Sequence, residues 1–145
     1  MKKILIVLAI IVTVLSLNKK TELVIPKESI RFRVIANSDS ENDQLLKKRI
    51  IYNLNRKVKE IQTISNSISS SRNVIKENIP ELEKIVETTI QESSTQVPYK
   101  INYGNNYFPN KEMYGIEYKE GNYESLVVNI GESKGNNWWC VLFPP

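Results

Sequence analysis

Ile30-Arg-Phe-Arg-Val-Ile-Ala36, followed by Asn37-Ser-Asp-Ser-Glu-Asn-Asp-Gln44 and then Leu46, Ile50, Leu54, Val58 and Ile61, decides the fold. In the first stretch Ile30, Phe32 and Val34 alternate with Arg31 and Arg33, the period-two pattern of a half-buried strand. The second is a polar turn. Within it Ser40-Glu41-Asn42-Asp43 has capping-box spacing, with Asp in place of the usual Glu. The third recurs at intervals of four, four, four and three, one apolar stripe of a helix. A strand, a capped turn and an amphipathic helix therefore open the domain.

Downstream, the serine-rich run 65–71 loosens the pattern. A second stripe follows at Ile75, Ile79, Leu82, Val86 and Ile90, with Pro80 inside it. Proline is tolerated in a first turn, so one helix is expected to stop near Asn78 and another to start around Pro80. Glu81 and Glu83 then favour that helix's positive end. From Val97 the character turns to Tyr, Gly, Pro and β-branched residues. Val97–Tyr103, Met113–Tyr118, Ser125–Ile130 and Trp138–Phe143 read as strands. The expected fold is α+β: one small domain with an N-terminal strand, two to three helices, then an antiparallel or mixed sheet of about four further strands.

Upstream, Ile4–Leu17 is fourteen residues without a charge, fenced by Lys2, Lys3, Lys19 and Lys20. As a helix it spans about 21 Å, short of the ~30 Å hydrocarbon core, and the flanking lysines extend its reach by snorkelling. A cleaved signal peptide, an uncleaved anchor and an ordinary buried helix or strand compete. The absence of a good small-x-small site leans toward the anchor. The expected organisation is a signal or anchor segment at 1–20, a linker at 21–29 and a domain at 30–145, exported and membrane-tethered or secreted.

The formal charge of +4 is carried by those four N-terminal lysines, and the rest of the chain has as many basic as acidic side chains. That excludes the basic footprint of a nucleic-acid binder. The local cluster Lys47, Lys48, Arg49, Arg56, Lys57 and Lys59 reads as the solvated face of a helix. With no His and one Cys, the chain lacks the usual material for zinc sites, triads and internal disulfides. No metal, cofactor, small-molecule substrate or catalytic set is expected.

Two features remain. Asp39 and Asp43 are the only aspartates and invite an acid–base or metal reading, against a plainer one in which Asp39 shapes the turn and Asp43 starts the helix. Trp138 and Trp139, adjacent on a strand, point to opposite faces. Either one enters the core while the other covers a helix, a partner or a membrane, or the domain's own helices bury both. A partner-binding surface is expected where the turn meets this strand, with Asn37, Asp39, Asp43, Trp138 and Trp139 as its residues.

The chain resembles the stage II sporulation protein R family. The resemblance rests on Ile30-Arg-Phe-Arg-Val-Ile-Ala-Asn-Ser-Asp-Ser40 with Asp43-Gln44, on Tyr107-Phe-Pro109 with Tyr114-Gly115, and on Gly121-Asn-Tyr-Glu-Ser-Leu126, Ile130-Gly-Glu132 and Asn137-Trp-Trp-Cys-Val-Leu-Phe-Pro-Pro145. It departs from the family at Arg33, where many relatives carry His, and at Ser133, in a stretch usually richer in Gly. It also stops at Pro145, where relatives commonly continue with another cysteine. The resemblance implies a protein made in the forespore and exported to the intermembrane space. There it triggers a membrane-embedded aspartic protease that processes the sigma-E precursor in the mother cell. The competing expectations are a tethered hydrolase using Asp39 and Asp43 with a lysine, and a structural spore-envelope protein.

Overall fold

The computed structural model describes residues 25–113 and 115–144, together with residue 4. Apart from residue 4, the apolar segment 4–17 lies outside the described residues, as do residues 21–24 of the expected linker. Among those described, no helix is long and apolar enough to cross a membrane.

Strand β1 (Ile30–Ile35) leads into helices α1 (Glu41–Ile64) and α2 (Ile68–Glu92), then strands β2 (Tyr99–Phe108), β3 (Lys111–Met113), β4 (Ile116–Tyr118), β5 (Gly121–Ile130) and β6 (Asn137–Phe143). Four strands form a mixed sheet in the order β2-β5-β1-β6, and β3 and β4 pair as a separate hairpin. β1 runs parallel to β5 and antiparallel to β6, while β2 is antiparallel to β5. The α+β class holds, and the described residues form two helices and, after the first strand, five more.

Ser40 caps α1 by accepting the Asp43 N–H at 3.2 Å. The serine run ends one helix and starts the next. Ser65 Oγ donates back to the Ile61 carbonyl at 2.6 Å, and Ser67 forms a reciprocal capping box with Ser70 at the start of α2. These hydroxyls compete with the helical ladder for backbone groups. The apolar stripes of both helices pack on one face of the sheet. There Ile50, Leu54, Ile61, Ile75, Leu82 and Val86 meet Phe32, Val34, Leu126, Val128 and Leu142 in the main core.

Three expectations are corrected. Pro80 does not divide the second stripe, because α2 runs unbroken through it. Pro80 is on the exposed side of the helix, where the carbonyl left unpaired by its missing N–H meets water. Met113–Tyr118 is not one strand but the tight hairpin β3–β4, turning at Gly115 with φ +74°. β1 is not half-buried: Arg31 is 3% exposed, because a second, smaller cluster of Phe108, Tyr118 and Trp139 covers the face opposite the helices. Of the cations expected on a solvated helix face, Lys47 and Lys57 turn inward, Lys57 pairing with Glu60 and with Glu81 across the helix pair.

Candidate functional site

The turn after β1 and the connection between β5 and β6 are built into one another. Asn37 is the hub: its Oδ1 accepts the Glu132 N–H at 2.9 Å, and its Nδ2 donates to Asp43 Oδ2 at 2.9 Å. The same Asp43 oxygen accepts Ser38 Oγ at 2.5 Å. Asp39 Oδ1 accepts the Asn136 N–H at 2.6 Å and lies 3.4 Å from Gln44 Nε2. Backbone bonds run from Lys134 N–H to the Asn37 carbonyl and from Gly135 N–H to the Ala36 carbonyl. Lys47 Nζ closes the group by donating to Gln44 Oε1 at 2.6 Å and to the Asn136 carbonyl at 2.9 Å.

Two glycines make this approach possible. A Cβ on Gly131, whose φ is +55°, would lie 2.1 Å from Asn37 Oδ1. One on Gly135 would lie 2.2 Å from the Ser38 carbonyl oxygen, a backbone atom that cannot swing aside.

The chemistry of the two aspartates follows. Hydrogen bonds from Ser38 and Asn37 hold the Asp43 carboxyl below the usual carboxylate range, so it stays ionised and is a poor proton carrier near neutrality. Asp39 accepts a bond from a residue 97 positions away, whereas Asp43 accepts from Asn37 and Ser38 of its own turn. Among the described residues no group of three or more His, Cys, Asp or Glu side chains is arranged to hold a metal ion.

The tryptophans point to opposite faces, as strand geometry requires. Trp138 is half-buried on the helix side, edge-on to Phe32 with ring centroids 5.8 Å apart. Trp139 is 2% exposed on the other side, edge-on to Phe108 at 5.0 Å and to Tyr118 at 5.5 Å. Asn37, Asp39 and Asp43 are thus brought together, and the Asn136–Asn137 backbone carries the turn to the first residues of β6. Sequence reading missed Ser38, Gln44, Lys47, Gly131 and Gly135. The glycines stood in plain view between two strands, but their partners are far away in the chain.

A small α+β domain, with its turns knotted by aspartate, asparagine and glycine, is the class that fold and site define. The chain belongs to the stage II sporulation protein R family, whose sequence profile matches residues 26–145. It is 34% identical over 128 residues to the stage II sporulation protein R of Bacillus subtilis (strain 168), covering 88% of this chain and 57% of that protein. The chain thus spans little more than half the length of the curated relative it matches. No solved structure matches it.

Proposed function

We propose that the chain is an exported sporulation signal. In this reading it passes from the forespore to the intermembrane space and triggers a membrane-embedded aspartic protease, which processes the sigma-E precursor in the mother cell. The observation that carries the reading is the family match across the whole of the described domain. Residues 1–20 serve as the signal or anchor, 21–29 as the linker and 30–145 as the signalling domain. The partner meets the surface around Asn37, Asp39, Asp43 and Trp138, while Trp139, 2% exposed, holds the strand from inside the small cluster.

A role as ligand rather than enzyme accords with the chemistry of the turn. A hydrolase built on Asp39 and Asp43 needs at least one carboxylate free to exchange a proton. Here Asp43 is held ionised by side-chain donors, and both aspartates are spent as hydrogen-bond acceptors within the turn and its partner loop.

The test is reconstitution. Cells that make only this protein, the protease and the sigma precursor should process the precursor, and omission of this protein should abolish processing. Processing that proceeds equally without it defeats the proposal. A structural envelope protein would give late, defective spores with normal sigma processing.

A further inference from the structure

The face of the sheet turned away from the helices holds three cations among four aromatic rings. The Arg31 guanidinium lies 3.3 Å from the centre of the Tyr123 ring, 5.4 Å from Phe108 and 5.7 Å from Tyr118. Arg33, two residues on and so on the same face, stands 5.4 Å from Phe108 and 5.5 Å from Trp139. Lys111 Nζ is 5.0 Å from the Trp139 ring and donates to the Asn137 carbonyl at 3.1 Å and to its side-chain oxygen at 2.8 Å.

Rings attract these cations through their faces, but a ring face does not satisfy the in-plane N–H donors of a guanidinium. Nε and Nη1 of Arg31 and Nε of Arg33 are buried with no hydrogen-bond acceptor among the described residues. Arg33 Nη1 has one acceptor, the Tyr107 carbonyl at 3.3 Å. Among the described residues none of the three cations forms an ion pair with a carboxylate. Burial disfavours the charged form of all three, and Arg33 adds repulsion at Lys111. Buried arginine is ordinarily matched by an acid, and here the domain supplies rings instead.

We propose that this cage receives a carboxylate from a partner polypeptide. An Asp or Glu side chain sets its oxygens against Arg33 and Lys111, which are half-exposed, with buried Arg31 as the charge behind them. A planar, singly charged carboxylate suits a site walled by rings, since a phosphate dianion is harder to strip of water. The inference goes beyond the signalling role: it names the chemistry of a bound segment and holds for any partner that carries it.

The test uses the full chain in detergent and two capped pentapeptides, Gly-Glu-Tyr-Glu-Gly and its twin with Gln for both Glu, in calorimetric titrations. The acidic peptide should bind, and the Gln twin should bind about tenfold more weakly or worse, the loss of one charge-assisted contact. Arg33→Gln and Lys111→Gln, both at the rim, should each weaken the acidic peptide several-fold. Arg33→Lys, which keeps the charge, should recover part of the loss, separating a lost contact from a lost fold. Equal binding of the twins, indifference to both Gln substitutions, or no binding of the acidic peptide overturns the proposal. So does inorganic phosphate that binds more tightly than the peptide, which would assign the cage to phosphorylated ligands.

Discussion

Gly131 and Asn37 occupy one another's space: a Cβ on the glycine would lie 2.1 Å from the asparagine Oδ1, the atom that accepts the Glu132 N–H. The glycine's φ of +55° also strains any L side chain. Gly131→Ala is expected to lower stability by about 2–4 kcal/mol, from combined strain and overpacking. A urea midpoint equal to that of the parent protein would show that the turn and the β5–β6 connection are not locked together.

The tryptophans should separate. Trp139 fills the small cluster, so Trp139→Ala is expected to cost about 3–5 kcal/mol and to leave the protein largely unfolded. Trp138 is only half-buried, so its truncation should cost about 1–2 kcal/mol and leave a folded chain that fails to trigger sigma precursor cleavage. Asp39→Ala should join that folded, silent class at a cost of about 1 kcal/mol for its bond to Asn136. Circular dichroism with the reconstituted cleavage assay reads both properties. Normal signalling by both folded variants would move the partner surface elsewhere.

Acid should weaken the turn through Asp43. Its folded-state carboxyl lies below the ordinary value, so its contribution is complete above about pH 4, the unfolded value, and is lost as pH falls through the folded one. Asp43→Asn should therefore be less stable than the parent at pH 7, with the gap closing in strong acid. Urea unfolding at both extremes measures it, and a gap independent of pH would remove Asp43 as the cause.

Cys140 should be inert in the folded chain. Burial pushes its thiol up to about 12, so at pH 8 about one molecule in ten thousand carries the reactive thiolate. Alkylation by iodoacetamide is expected only after denaturant is added. Rapid labelling of folded protein would mean that β6 opens readily.

Periodicity along the chain made both helices and the order of their elements legible, because an apolar stripe is a local pattern that tertiary packing merely uses. Arg31 and Arg33 misled for the complementary reason. Their position opposite Phe32 and Val34 says only that they share a face. What covers that face comes from Phe108, Tyr118, Tyr123 and Trp139, residues on four other strands whose convergence no local pattern announces. Pro80 shows the same limit, since its cost depends on which side of the helix meets water. At the candidate site the turn-forming residues Asn37, Asp39 and Asp43 were visible, but the backbone N–H donors at 132 and 136 that reach Asn37 and Asp39 were not.

The pairing of β1 with β5 and β6 has a temporal side. Arg31 faces Ser125 on one flank and Val141 on the other, so the first strand to be synthesised waits for the last. Contacts that distant slow folding. A chain synthesised from its N-terminus cannot complete this sheet until β6 has left the ribosome, so β1 spends that interval without the neighbour on its β6 flank.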